Sequence, residues 1–507
     1  MDKLSFKGLV ISFIAGASLV FAYAPFHFHF LSFIGLGTLI YLWSNGSPKT
    51  NFCLGLSFGL GLYGVGVSWV YVSLSTYGGM PLWMGAIAVF GFAILLALFV
   101  AVPGYIGARY YRDYFLLSIP FLWVLFEWAK SWVLTGFPWL DVGYTQTPSW
   151  LLSWAPVGGI YLVSFIVLTI STCCVSLIRV LINFLSLQGH KVALFVPVSV
   201  FVMSLSASFL LSYVEWSQPI GRVVQVGIVQ PNTPIEEKWK ASYQTNLISK
   251  LASLSQQLNQ QTQTDLIVWP ETALPLYVQQ TNKTFWDSVT PSGAEILTGI
   301  MDSPNSDNLE EIYNAALLTC QGSAPKVYRK SHLVPFGEYL PLRFLFNWVL
   351  EYLELPMSDL SSWNGAQSLD CGESLKIGLS ICYEDAFAAE YRASVGDATM
   401  LVNISEDAWF GDSFAPHQRQ QMAQMRAAEL SRPLVRSANS GPSLVIDVKG
   451  QVVAKTAQFE VAADSFPVQP HDGDTLFKRF GNWFVFLSAF VLLLLFGSQY
   501  YLKRNQV

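Results

Sequence analysis

The chain has 507 residues, of which 52% are hydrophobic, 15% aromatic and only 12% charged, and its formal net charge is −5. Soluble domains carry about 25% charged residues, so this composition excludes an ordinary string of soluble domains, while 17 Trp and 36 Phe exclude a disordered or collagen-like chain. The negative net charge argues against a nucleic-acid partner.

Charge is unevenly placed along the chain. Residues 1–214 carry eight Lys/Arg and four Asp/Glu, whereas residues 215–480 carry nineteen and thirty. An apolar helix needs about 20 residues to cross the hydrocarbon core. Eight such runs are predicted as transmembrane helices, near 7–24, 28–44, 52–74, 80–107, 115–134, 155–182, 191–213 and 481–501. Short cytoplasmic loops are rich in Lys and Arg. Lys3 and Lys7, Lys49, Arg109 and Arg112, Arg179 and Lys191, and Lys503 and Arg504 all fall on one side of such a layout, and the intervening loops near 25–27, 75–79 and 135–155 contain neither residue. Both termini are then cytoplasmic and residues 215–480 extracytoplasmic, with 1–214 forming a seven-helix membrane domain and 481–507 a final helix and tail. Ala22-Tyr-Ala24 has the form of a signal-cleavage site, but Pro25 directly after it argues against cleavage.

Within the fifth run, Glu127 and Lys130 are three residues apart, each costing about 2.5–3.5 kcal/mol at mid-bilayer. The two are expected to pair or to lie near an interface; a transport path is the alternative, opposed by how few other charges the helices hold.

Residues 220–465 alternate short apolar runs with polar helical stretches. Strands are predicted at 223–229, 266–269, 296–300, 315–319, 326–330, 375–382, 399–404, 434–438 and 443–447, and helices at 240–258 and 418–431, with the Gln-rich 256–263 a frayed helix end or loop. Runs apolar on both faces favour an α/β sandwich with covered sheets.

There is no His-Glu-x-x-His, no phosphate-binding glycine loop and no Cys-x-x-Cys, so neither a metal nor a cofactor is expected. Three of the six cysteines lie in the charged part: Cys320, Cys371 and Cys382. An odd number leaves one thiol unpaired in an oxidising compartment. Cys320 and Cys371 are available to pair, and Cys382 closes an apolar run and opens Tyr383-Glu384-Asp385. Ser380 shares its strand face and is a rival nucleophile, but Gly-Leu-Ser-Ile-Cys lacks the second glycine of a hydrolase elbow. A buried structural cysteine is the plain alternative.

Two further runs break at a charged residue. Pro270 ends a strand and leaves Glu271 at its tip; Lys330 ends another, with Glu338 eight residues on, after Pro335 and Gly337. Cysteine acyl transfer needs what these supply. Glu271 can take the thiol proton, Lys330 and the backbone N–H after the nucleophile can stabilise an oxyanion, and Glu338 can orient Lys330 or assist proton transfer.

Trp-Pro-Glu271, Tyr-Arg-Lys330 with Pro-Phe-Gly-Glu338, and Cys382-Tyr-Glu-Asp together resemble the Glu-Lys-Cys set of the nitrilase superfamily. With the membrane helices, and with Phe21-Ala-Tyr-Ala-Pro-Phe26, Gly136-Phe-Pro-Trp-Leu140 and Ala408-Trp-Phe-Gly-Asp-Ser413, the whole chain resembles the apolipoprotein N-acyltransferase family. The resemblance implies a polytopic α-helical membrane protein carrying an αββα nitrilase-like sandwich in the periplasm, anchored in the bacterial inner membrane. It implies transfer of the sn-1 acyl chain of a phospholipid through a thioester on Cys382 to the α-amino group of a diacylated apolipoprotein, with Glu271 as base and acid and Lys330 at the oxyanion. Glu338 would support them, Tyr383 and Glu384 would shape the pocket, and Trp239 would sit on a mobile lid, with ordinary packing as its plain alternative. Membrane lipids are the surrounding partner, and a monomer is expected. The family pattern usually has Asn where this chain has Glu406. A membrane-tethered nitrilase or amidase that hydrolyses its acyl-enzyme is the second reading, and a transporter or lipid receptor with an inactive domain the third.

Overall fold

The computed structural model describes residues 5–184, 191–304, 311–346, 352, 359–365, 369–372 and 375–504. Lys3 therefore lies outside the described residues. The chain divides into two compact units, one formed by residues 1–71, 82–215 and 476–507 and the other by 72–81 and 216–475.

The first unit is helical: α1 (Phe6–Leu19), α2 (Leu31–Trp43), α3 (Pro48–Gly66), α4 (Trp69–Val72), α5 (Leu82–Tyr110), α6 (Phe115–Lys130), α7 (Ala155–Phe184), α8 (Lys191–Leu211) and, after the second unit, α15 (Leu476–Phe480) and α16 (Trp483–Arg504). Every apolar run read from the sequence is helical. Among the described residues, three spans are long and apolar enough to cross a membrane: Leu82–Tyr110, Trp150–Ile182 and Trp483–Leu502. Pro48–Gly66 with Trp69–Tyr77 makes a fourth, bent by 49°. Small residues let the helices close on one another. A Cβ on Gly16 would stand 2.0 Å from the Phe58 carbonyl oxygen, and one on Gly61 would stand 2.2 Å from that of Phe13.

Glu127 and Lys130 do not form an ion pair with each other. Lys130 Nζ lies 2.8 Å from Asp141, and donates to the Tyr63 hydroxyl at 2.9 Å and the Trp139 carbonyl at 2.7 Å. Glu127 instead accepts from Trp123 Nε1 and the Val142 N–H. The compensating carboxylate comes from a loop eleven residues on, beyond the reach of i,i+3 reasoning.

The second unit contains β1 (Gln218–Pro219), β2 (Val224–Gln230), α9 (Ile235–Lys238), α10 (Ala241–Gln261), β3 (Leu266–Val268), α11 (Lys283–Val289), β4 (Glu295–Asp302), β5 (Tyr313–Leu318), β6 (Lys326–Arg329), α12 (Arg343–Phe346), β7 (Leu369–Cys371), β8 (Leu375–Ile381), α13 (Ala388–Val395), β9 (Met400–Ser405), α14 (Ala415–Leu430), β10 (Leu434–Ala438), β11 (Leu444–Ile446), β12 (Val452–Lys455), β13 (Ala462–Val468) and β14 (His471–Asp472). Two six-stranded sheets form, in the orders β13-β2-β3-β4-β5-β6 and β12-β11-β10-β9-β8-β7. The centre of each is parallel (β2, β3 and β4; β8, β9 and β10) and the flanks antiparallel.

One apolar core lies between the sheets, drawing Val226, Ile228, Val268 and Leu297 from the first and Ile377, Leu379, Val402 and Val435 from the second. Each such side chain contributes about 1.5–3 kcal/mol on burial. A second core joins α10 and α11 to the other face of the first sheet, through Leu247, Leu251 and Trp286. On the second sheet, α13 packs on β8 and α14 on β10. Helix, sheet, sheet and helix layers give the αββα order that the resemblance implies.

Candidate active site

Glu271, Lys330 and Cys382 each stand just past the end of a strand, β3, β6 and β8 respectively, and all are buried. Burial at strand ends comes from local backbone requirements. Cys382 has φ +49°, a left-handed conformation that turns the chain out of β8. The strand alternation that pairs Ser380 with Cys382 therefore stops at the turn: Ser380 is enclosed in the sheet, its hydroxyl accepting from Asn403 Nδ2 at 2.8 Å. At Glu271 the chain presses on β4. A Cβ on Gly299 would lie 2.2 Å from the Thr272 nitrogen and 2.6 Å from the Glu271 Cα, so the missing side chain makes room for the turn.

Glu271, Lys330 and Glu338 form one hydrogen-bonded cluster. Lys330 Nζ donates to Glu338 Oε1 at 2.8 Å and reaches Glu271 Oε1 at 3.4 Å. Asn314 Nδ2, from β5, bridges the same two oxygens at 2.7 Å to Glu271 and 2.9 Å to Glu338. Glu338 Oε2 accepts from the Val334 N–H, and Glu271 Oε2 from the Glu406 N–H, both at 2.8 Å. Burial works against the Glu271 charge, but Lys330, Asn314, Lys238 and the Glu406 N–H together hold its carboxyl below the ordinary range. Burial likewise opposes the Lys330 charge, and the Glu338 and Glu271 carboxylates outweigh it, keeping the ammonium protonated. Burial pushes the Cys382 thiol up to about 11, with Arg419 and Lys330 pulling down and Glu271 and Asp407 adding to the rise. Near neutrality Cys382 therefore rests as a thiol and Glu271 as a carboxylate.

Tyr383 and Glu384 lie in the buried turn that begins at Cys382. The Glu384 carboxylate accepts from the Ile381 and Ser331 N–H groups, each at 2.7 Å, from the Ser331 hydroxyl at 2.8 Å and the His332 N–H at 3.2 Å, and from Tyr328 Oη at 3.0 Å. It ties the segment after Lys330 to the turn at Cys382, and its bonds go to that framework. Burial pushes its carboxyl up against these donors. The Tyr383 ring packs edge-on to His332 and Phe387. Trp239 follows α9 and is 37% exposed, so it is not part of either apolar core.

Glu406 is accommodated by a cation. Lys238 Nζ, only 2% exposed, donates to Glu406 Oε2 at 2.6 Å, Thr272 Oγ1 at 2.7 Å and the Glu271 carbonyl at 3.0 Å, using all three ammonium protons. Glu406 Oε1 accepts from Asn439 Nδ2 at 2.9 Å and the Ala408 N–H at 3.3 Å. The Glu406 carboxylate therefore has a donor on each oxygen. Beyond Glu406, the Ser73 hydroxyl donates to the Trp409 carbonyl at 2.9 Å and Tyr77 packs edge-on to the Trp409 ring.

The sequence missed Lys238, Asn314 and Arg419, and with them Asp385, Asp407 and Arg436, whose side chains interlock beneath Cys382. Arg436 gives the one visible signal, a charge inside the apolar strand Leu-Val-Arg-Ser-Ala. Cys320 and Cys371 form a disulfide across 51 positions, and Cys382 is a free, buried thiol.

Two protein families match the chain: the apolipoprotein N-acyltransferase N-terminal domain over residues 15–173, and carbon-nitrogen hydrolase over residues 225–463. The apolipoprotein N-acyltransferase of Methylococcus capsulatus is 35% identical over 485 residues, covering 94% of this chain and 93% of its own length. That of Nitrosomonas europaea is 34% identical and covers 97% of each chain. That of Vibrio parahaemolyticus is 32% identical and covers 95% of each.

Proposed function

This chain belongs to the apolipoprotein N-acyltransferase family, and from that premise we propose that its acyl transfer runs through a thioester on Cys382. It is an N-acyltransferase with a phospholipid donor and an apolipoprotein acceptor. In the proposed first half-reaction Glu271 takes the Cys382 proton, the sulfur attacks the sn-1 ester carbonyl, and Lys330 with the backbone N–H after Cys382 stabilises the oxyanion. Glu271 then returns the proton to the departing lysophospholipid oxygen. In the second, the α-amine of the diacylglyceryl-cysteine attacks the thioester, loses a proton to Glu271, and releases the thiol. Glu338 holds Lys330, Tyr383 and Glu384 fix the turn, and Trp239 sits on a lid beside the acyl chain.

The observation that supports this reading most is that a free thiol, a carboxylate held ionised and an ammonium held protonated are all buried just past strand ends of the same unit. We further propose that residues 1–214 and 481–507 supply eight transmembrane helices, with residues 215–480 in the periplasm and both termini of this sequence on the cytoplasmic side of the inner membrane. The segregation of Lys and Arg among the loops supports that orientation.

Intact-mass analysis after exposure to phospholipid vesicles tests the mechanism. One added acyl chain is expected on the wild type, absent in Cys382→Ala and discharged by a diacylated lipopeptide. No adduct on the wild type overturns it, and fatty acid released at one rate with and without lipopeptide makes the protein a hydrolase.

A further inference from the structure

Arg419 lies on α14, is 1% exposed, and grips Cys382 twice. Nη1 donates to Sγ at 2.9 Å and Nη2 to the Cys382 carbonyl oxygen at 2.6 Å. The same fork reaches the Ser405 hydroxyl at 3.1 Å and Asp385 at 2.9 Å.

We propose that Arg419 is a fourth catalytic residue, the cation that receives the negative charge when Cys382 becomes a thiolate. This rests on the reading of Cys382 as nucleophile and adds to it a division of labour among the cations. Lys330 is bracketed by two carboxylates, Glu338 and Glu271, so this trio carries a net charge of about −1 when all are ionised. Arg419 belongs to a balanced set: it contacts Asp385 and, at 3.7 Å, Asp407, and Arg436 contacts both of those aspartates in turn. On activation the S–H bond breaks, an O–H bond forms on Glu271, and the electron pair stays on sulfur. The negative charge thereby leaves Lys330's neighbour and arrives on the atom that Arg419 Nη1 already contacts. A neutral S–H···guanidinium contact becomes a charge-assisted hydrogen bond, with no movement required of the donor. Arginine suits the task because it cannot lose its own proton, whereas a lysine buried there could. Of the charged groups around the thiol, which are Arg419, Glu271, Lys330 and Asp407, Arg419 exerts the largest downward pull on its pKa.

A merely structural arginine would tie α14 to Asp385 and Ser405 and leave the thiol's titration unchanged. The full chain in detergent is alkylated with iodoacetamide across pH, and the rate at Cys382 is separated from that at Cys53, Cys173 and Cys174 by peptide mapping. In Arg419→Gln the alkylation midpoint is expected to rise by about one pH unit or more, and acyl-adduct formation near neutrality to slow roughly 10- to 100-fold, the loss of one hydrogen bond to a charged group. A folded Arg419→Gln with the wild-type midpoint overturns the proposal. Should that variant fail to fold, Arg419→His decides. A titrating ring at this place adds a second step to the Cys382 profile near the imidazole pKa if the charge matters, and a profile of wild-type shape overturns the proposal. Wild-type protein exposed to phospholipid separates the two readings: without an acyl adduct on Cys382 the nucleophile assignment itself fails, whereas an adduct with an unmoved Arg419→Gln midpoint refutes only the role of Arg419.

Discussion

Replacing Lys238 by Met tests whether the ion pair with Glu406 holds Glu271 in place. The substitution keeps much of the aliphatic volume but deletes three hydrogen bonds at 2.6, 2.7 and 3.0 Å, leaving one oxygen of a buried carboxylate without its cation. Breaking a buried pair from one side costs about 3–5 kcal/mol, because the surviving charge stays desolvated. At roughly 2–4 °C per kcal/mol for a unit of this size, the melting temperature falls by roughly 6–20 °C. Lys238→Met with Glu406→Gln removes both charges and recovers part of that loss, so a double-mutant cycle yields a coupling of about 2–3 kcal/mol. Chemistry changes with stability. Lys238 is one of the groups holding the Glu271 carboxyl low, so its removal lets that pKa rise and moves the acid limb of acyl-enzyme formation to higher pH. Thermal unfolding in detergent and single-turnover acylation across pH measure the two effects. A melting point within about 2 °C of wild type, or a double variant as unstable as the sum of the single ones, refutes the argument.

The wild-type pH profile follows from the same groups. Because the Glu271 carboxyl is held below its ordinary 4.5, the base is already more than half ionised at that pH, and acylation is lost as pH falls through the lowered value; a single-turnover acid limb centred near neutrality would contradict this. Removing the disulfide in Cys320→Ala with Cys371→Ala frees a 51-residue loop in the unfolded chain and costs about 4 kcal/mol, read as a lower melting temperature with alkylation of Cys382 unchanged. Gly299→Ala places a methyl group 2.2 Å from the Thr272 nitrogen, and the shift of the Glu271 turn needed to relieve it slows acylation by about 10²-fold, measured as the single-turnover rate of the folded variant.

Most strands legible in the sequence are interior to a sheet, and none of those that were missed is. The nine runs read as strands are all found, with ends shifted by at most two residues; eight are interior strands, which buried on both faces are continuous apolar runs, and the ninth, β6, is an edge. The missed β7, β12 and β13 are edges of the six-stranded sheets, and the missed β1 and β14 pair only with each other. β12 alternates half-buried and exposed residues over only four positions, and β13 carries Pro467, tolerated where one side of the ladder faces no partner. Edge strands are kept short, polar or proline-bearing because a long apolar edge would pair with other chains, and those same traits erase the pattern by which strands are recognised.

The site divided along a similar line. Glu271, Lys330, Glu338 and Cys382 were legible because each follows an apolar run that ends abruptly, and their chemistry is local to that break. Lys238, Asn314 and Arg419 reach partners 14 to 168 positions away in sequence, and nothing in their neighbours predicts it. The α14 segment Gln418-Arg-Gln-Gln-Met-Ala-Gln-Met-Arg-Ala-Ala-Glu429 reads as a solvated helix, yet all of it is buried. Its polar side chains find partners inside: Arg419 at Cys382 and Asp385, Arg426 at Glu429 and at the carbonyls of Asp385 and Ala386. Burying a charge is tolerable only when it is paired, so each buried arginine implies an acceptor elsewhere in the chain. Pairing is a property of the fold, not of spacing, and for that reason the sequence exposes the groups that face the substrate more readily than the groups that hold them there.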